Sequence, residues 1–250
     1  MVRPARPEDA AQARELALEL GLPLRCCAEP GWFNLVVGRE GLAVHPPRAW
    51  RMRALVCDFE RGRAGYRLAA GRPAHNLLAR ALGRTAEPQR IVDATAGLGV
   101  DGLGLAALGH QVVLLERHPL VAALLGDGLR RASAGPLGPV LKRVQWHCAD
   151  ALQWLPAHRE PLDVVYLDPM FPDREVRARR EMQILQRLVG GDPDGGGLLE
   201  AALARAGRRV VVKRPRRAPA LGPRKPDFSV EGRSTRFDVY LTGSRHRESL

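Results

Sequence analysis

Aromatic residues make up only 5% of the chain, and its four cysteines, Cys26, Cys27, Cys57 and Cys148, show neither C-x-x-C spacing nor the framework of a disulfide-stapled domain. Adjacent Cys26 and Cys27 are poorly placed to bridge each other, and so few thiols suit a reducing compartment. The scattered histidines and cysteines lack metal-ligand spacing, so no metal is expected. No stretch approaches the roughly 20 apolar residues that a membrane helix needs, and MVRPARPEDA lacks the apolar core and cleavage pattern of an export signal. The expectation is a cytoplasmic protein without membrane association. Acid is also in short supply: 27 Asp and Glu stand against 39 Lys and Arg, a net charge of +12. Such a surplus favours a polyanionic partner. It is clustered, since Leu203 to Arg236 holds eleven basic residues and two acidic ones.

What the chain does have is enough apolar sequence, 45% over 250 residues, for one substantial core and a small appended unit. Pro7-Glu8-Asp9 opens a helix in which Ala13, Leu16, Ala17 and Leu20 keep three-four spacing, and Gly21 with Pro23 closes it. Short β-leaning runs follow, FNLVVGREGLAVH and ALVCDFE. Residues 1–70 are therefore expected to form a small α+β unit. From residue 71 to 250 the rhythm changes. Strand candidates at Ile91–Ala94, Gln111–Glu116, Val144–Asp150, Asp163–Asp168 and Arg209–Val212 alternate with helical stretches, which implies right-handed crossovers and a mostly parallel α/β sheet covered on both faces. FSVEGRSTRFDVYLTG has no room for a helix between its two strand-like runs, so an antiparallel C-terminal hairpin at the sheet edge is predicted.

IVDATAGLGVDG places Asp93 at the end of a strand, then a turn with Gly97 and Gly99, then a helix that begins near Val100 and Asp101. In a parallel sheet this is the edge where ligands sit. Gly97 to Gly102 also fits G-x-G-x-x-G, a weak signal when taken alone. Glu116 ends the next strand about 20 residues on, suited to a ribose diol. Asp150 ends another strand, where an adenine contact competes with an N-cap role for the following helix. A pyrophosphate would want the helix N-terminus, whereas Asp93 and Asp101 flanking the loop fit a cationic ligand such as S-adenosylmethionine better.

VVYLDPMFP leaves its strand through an acid, a proline and an aromatic ring. Asp168 is expected beside the first strand of the sheet, Pro169 fixes the backbone, and Phe171 offers a face on which a base can stack. A carboxylate and a carbonyl accepting both protons of an exocyclic amine would aim its nitrogen at a methyl donor, and transfer then rests on alignment. Lys213, Arg214, Arg216 and Arg217, after a strand at the same edge, are candidates for RNA phosphates; Arg174, Arg177, Arg179 and Arg180 are a second group. Arg67, Arg72, His75 and Asn76 lie in a stretch that closes over the crevice or forms an ordinary loop. His118 is read as structural.

DATAGLGVDG, LLERHP, VVYLDPMFP, REMQIL, LVGGDPDGGGLLEAAL, VVVKRP and RFDVYL occur in an order and spacing that resembles the ribosomal RNA small subunit methyltransferase J family, strongly from Gly71 onward. The resemblance implies a Rossmann-like class I fold and S-adenosylmethionine-dependent methylation of the N2 amine of one guanine in 16S ribosomal RNA, free or in the small subunit. It implies cofactor contacts at Val100, Asp101, Glu116, Arg117, Asp150, Ala151 and Asp168. Val100 stands where the family often has Arg, so a contact there is expected through the backbone. Two further readings of the residues are N6-adenine methylation of DNA or RNA and a non-catalytic RNA-binding assembly factor. A dehydrogenase is disfavoured by the acids around the loop.

Overall fold

The computed structural model describes residues 1–28, 31–61, 76–83, 85–169, 184–185, 187–188 and 195–243. Two sheets organise them. The smaller holds β1 (Val2–Pro4), β2 (Asn34–Gly38), β3 (Gly41–His45) and β4 (Leu55–Val56) in the order β1-β2-β3-β4. β1 runs parallel to β2 and the remaining pairs are antiparallel. Helix α1 (Ala10–Glu19) follows a 3₁₀ turn at Pro7–Asp9, where Asp9 accepts a hydrogen bond from the Arg6 amide (3.1 Å). It buries Ala13, Leu16 and Ala17 and ends before Gly21, whose φ of 62° suits a residue without Cβ.

The larger sheet contains β5 (Arg90–Asp93), β6 (Gln111–Glu116), β7 (Val144–Cys148), β8 (Leu162–Leu167), β9 (Ala206–Pro215), β10 (Phe228–Glu231) and β11 (Thr235–Leu241), ordered β10-β11-β9-β8-β5-β6-β7. β7, β6, β5, β8 and β9 are mutually parallel. The C-terminal hairpin stands at the sheet edge: β11 runs antiparallel to β9, and β10 is outermost. Central β8 carries Val164, Val165, Tyr166 and Leu167 in succession, all buried, as a strand covered on both faces requires.

Helices α2 (Asn76–Leu82), α3 (Val100–Ala107) and α4 (Pro119–Ala132) contribute to one apolar cluster, and α5 (Ala151–Ala157) with α6 (Gly195–Arg205) contribute to the other. The first cluster does not stop at the large sheet. Val2, Leu35, Val37, Leu42 and Val44 of the small sheet belong to it together with Leu124, Leu125 and Leu129 of α4. Contact there is close enough that a Cβ on Gly41 would lie 2.4 Å from the Asp127 carboxylate, and the Leu42 amide donates to that carboxylate (2.9 Å). Asp127 also receives Arg130 (2.6 Å) and Arg131 (2.9 Å), so this buried acid is fully engaged. No helix among the described residues is long and apolar enough to cross a membrane.

Candidate active site

β5 and β8 lie side by side and leave the sheet together, and the chain is tied at both exits. The Ala94 amide donates to the Tyr166 carbonyl (3.0 Å), and the Asp168 amide donates to the Thr95 hydroxyl (2.6 Å). The carboxylate that ends β8 is thus anchored to the turn that ends β5. That turn carries Gly97 at φ 54° and Gly99 at φ 75°, a backbone that L side chains rarely adopt. Gly99 is further required by packing, since a Cβ would stand 2.6 Å from Leu125. At Gly97 a Cβ would meet nothing within 4 Å, so the loop presents bare backbone to open space.

Glu116 braces the loop from β6. Its two oxygens accept from the Gly97 amide (2.9 Å) and the His118 amide (2.8 Å). Asp93 lies beneath. It is 1% exposed and accepts from the Thr95 amide (3.2 Å); burial, and then the neighbouring Asp101, push its carboxyl well above the usual carboxylate range. Asp93 therefore favours its protonated form more than an ordinary carboxyl does, and at 1% exposure it supports the turn from below rather than lying open to a ligand as its position in the sequence suggested.

Above it an ion cluster occupies the crevice. Lys213 Nζ on β9 lies 2.6 Å from Asp101 Oδ2 and 2.7 Å from Asp168 Oδ2, and the Tyr166 hydroxyl donates to the same Asp101 oxygen (2.8 Å). Burial pulls the Lys213 ammonium down, but the Asp168 and Asp101 carboxylates outweigh it and hold it above its ordinary value. Burial and the surrounding carboxylates likewise push the Tyr166 phenol well up, so it remains a donor.

These positions correct two expectations. Lys213 is turned inward as the counter-ion of the crevice acids instead of facing a phosphate. Arg214, on the opposite face of β9, is 2% exposed and donates through Nε (2.9 Å) and Nη2 (2.6 Å) to the Pro219 carbonyl, so it pins the loop after β9 and cannot reach an RNA backbone. Alternation along a strand sends Lys213 and Arg214 to opposite sides. Arg216 and Arg217 are exposed, with Arg216 3.4 Å from Glu231.

Val100 and Asp101 open α3, Arg117 is exposed after β6, and Ala151 is buried at the start of α5. Asp150 caps α5, its Oδ1 accepting from the Leu152 amide (2.8 Å), so the N-cap reading holds whatever else it does. Pro169 is buried behind Asp168. Phe171, Arg174, Arg177, Arg179, Arg180, Arg67, Arg72 and His75 lie outside the described residues, and of Asn76 only the backbone at the start of α2 is described. Sequence reasoning missed Thr95 and Tyr166. The available signals were a hydroxyl two residues past a strand end and a phenol within the buried Val164–Leu167 run of β8.

The chemistry of this crevice fits an adenosyl ligand that carries positive charge. Bare loop backbone lies at Gly97, the Glu116 carboxylate stands at the loop on the Gly97 and His118 amides, and the Asp101 and Asp168 side chains remain 24% and 37% exposed. A seven-stranded sheet of this order, with a glycine turn, an acid ending the next strand and an acidic crevice at its carboxyl edge, defines an S-adenosylmethionine-dependent methyltransferase.

Comparison with known proteins agrees with that class and narrows it. A family model described as "Putative SAM-dependent methyltransferase" matches residues 18–242. A solved SAM-dependent methyltransferase from Neisseria gonorrhoeae superposes with a TM-score of 0.78 at 31% identity, covering 100% of this chain and 99% of the other. Two proteins named ribosomal RNA small subunit methyltransferase J are each 44% identical to it. The one from Thioalkalivibrio sulfidiphilus aligns over 248 residues (97% of each chain), and the one from Marinobacter nauticus over 239 (91% of this chain, 86% of the other). The chain belongs to the ribosomal RNA small subunit methyltransferase J family.

Proposed function

We propose that this protein methylates the exocyclic N2 amine of a guanine in small-subunit ribosomal RNA. The observation that carries the proposal is Asp168, an anchored, partly exposed carboxylate at the paired exits of β5 and β8. A base amine has a lone pair delocalised into its ring, and an acceptor on its N–H protons turns that lone pair toward an electrophile. S-adenosylmethionine, bound over the Gly97–Gly99 turn, supplies that electrophile as a sulfonium methyl group.

Each neighbouring group keeps Asp168 ready for this task. Lys213 fixes the carboxylate and offsets its repulsion from Asp101; Tyr166 holds Asp101 from the other side. Thr95 sets the height of the Asp168 backbone relative to the glycine turn. Asp93, its carboxyl held well above the usual carboxylate range by burial and by Asp101, is disfavoured as a further negative charge beneath the site. Glu116 accepts from the ribose hydroxyls, Arg117 and Val100 flank the adenosyl group, Val100 through its backbone, and Asp150 with Ala151 meets the adenine edge. Pro169 removes a donor and leaves carbonyls to accept from the base, and Phe171 stacks on it. Rate then derives from proximity and orientation.

The RNA assignment draws on the relatives' name and on exposed Arg216 and Arg217 at the same sheet edge. The test is to incubate the protein with unmethylated 16S ribosomal RNA and labelled cofactor, then digest the RNA to nucleosides. N2-methylguanosine is expected. Label in N6-methyladenosine overturns the base assignment; absence of transfer alongside tight RNA binding indicates an assembly factor instead.

A further inference from the structure

The small sheet has a second, outward face that none of the chemistry above uses. Its inward residues, Val2, Leu35, Val37, Leu42 and Val44, belong to the core. Asn34 lies opposite His45 across the β2–β3 ladder, and Arg3 lies opposite Val36 on β1–β2. Period-two alternation therefore gathers Arg3, Asn34 and His45 on the outward face. There they line a cavity of about 400 Å³ with Arg48, Pro46 and Met52. That volume lies within the range of small-ligand pockets and exceeds the need of a lone inorganic anion.

The lining is cationic and contains no acid among its described residues. The whole stretch from Gly41 to Cys57 lacks Asp and Glu while carrying His45, Arg48, Arg51 and Arg53. No carboxylate lies within ion-pair distance of Arg3 or Arg48 among the described residues, and Arg3 Nε is buried with no hydrogen-bond acceptor among them. A buried guanidinium N–H without an acceptor is costly. Burial, and then Arg3, hold the His45 imidazole below its ordinary value, so at neutral pH it contributes a neutral N–H rather than a third charge. Trp32, 65% exposed, stands two residues before Asn34, whose side-chain amide donates to the Trp32 carbonyl (2.9 Å). Trp32 is not itself a lining residue, but cations and an exposed ring on neighbouring positions are the elements of single-stranded nucleic-acid recognition.

We infer that this cavity is an RNA subsite: Arg3 and Arg48 hold a phosphodiester of the substrate RNA, and Trp32 stacks on an adjoining unpaired base. The subsite rests on the reading of ribosomal RNA as substrate and adds a second point of attachment remote in sequence from Asp168. Its test is equilibrium binding of a 16S ribosomal RNA fragment to the full chain across a salt series, without turnover. The Arg3→Gln/Arg48→Gln variant should bind about tenfold more weakly at 0.1 M salt, and its slope of log affinity against log salt should fall by about 0.7, one single-strand phosphate contact. Cofactor affinity and thermal midpoint should stay unchanged, and Arg3→Lys/Arg48→Lys should keep the slope. Unchanged RNA affinity and slope in the Gln variant overturn the subsite while leaving the proposed function intact. Loss of inorganic phosphate or guanosine monophosphate binding in that variant, with RNA binding unaltered, assigns the cavity to free phosphates and overturns it as well. If the unaltered chain fails to bind the RNA, subsite and substrate assignment fall together.

Discussion

Lys213 shows how much a single side chain decides at the residue scale. Replacing it by Met leaves Asp101 and Asp168 facing each other without the ammonium, and two adjacent carboxylates favour protonation of one. We expect kcat to fall by about 100-fold, on the order of 3 kcal/mol of transition-state stabilisation, with the acid limb of its pH profile moved upward. Lys213→Arg should restore part of the rate, whereas Asp168→Ala should abolish transfer with modest loss of cofactor binding. Steady-state kinetics with isothermal titration of the cofactor separates these outcomes; an unmoved pH profile would remove the proposed role of Lys213. Asp93 gives a stability prediction. Burial and Asp101 raise its carboxyl in the folded protein above the ordinary carboxylate range, so folding takes up a proton and stability falls as pH rises from that range toward the raised value. Asp93→Asn lacks that dependence. Its thermal midpoint relative to the unaltered protein should therefore rise between pH 5 and pH 8, as scanning calorimetry can measure.

At the scale of elements, the parallel strands were legible because an apolar run bounded by acid or glycine has few other uses. Ile91 to Asp93, Gln111 to Glu116 and Val164 to Leu167 all fall on strands; Glu116 ends its strand as its position implied, and Asp168 is the first residue past β8. What remained hidden was direction across a strand. Lys213 and Arg214 are neighbours in a basic run, yet the pleat sends one into the crevice and the other against the Pro219 carbonyl. Charge in sequence does not state which face carries it. The tertiary role of Asp127 was invisible for a related reason, because the Leu42 amide it accepts from is 85 residues away. Asp127→Ala should cost about 3 kcal/mol, since it leaves a buried N–H unmet and strips Arg131 of its carboxylate, whereas Asp150→Ala should cost about 1 kcal/mol for the lost helix cap. Urea denaturation measures both, and equal losses would contradict this ranking.

For the whole molecule, a charge of +12 makes nonspecific attraction to RNA certain to contribute, so salt dependence discriminates better than affinity. Arg216→Glu/Arg217→Glu should reduce the salt slope by about 1.4 and raise KM for RNA with little change in kcat. A lowered kcat at saturating RNA would instead place these residues in the chemistry. The junction between the sheets carries a different consequence. Because β3 lies against α4 so tightly that Gly41 has no space for a methyl group, and because one apolar cluster runs through both sheets, the catalytic half has no finished surface of its own on that side. A fragment cut to begin at residue 71 should aggregate or bind hydrophobic dye instead of refolding, and supplying residues 1–70 as a separate peptide should rescue it by complementation.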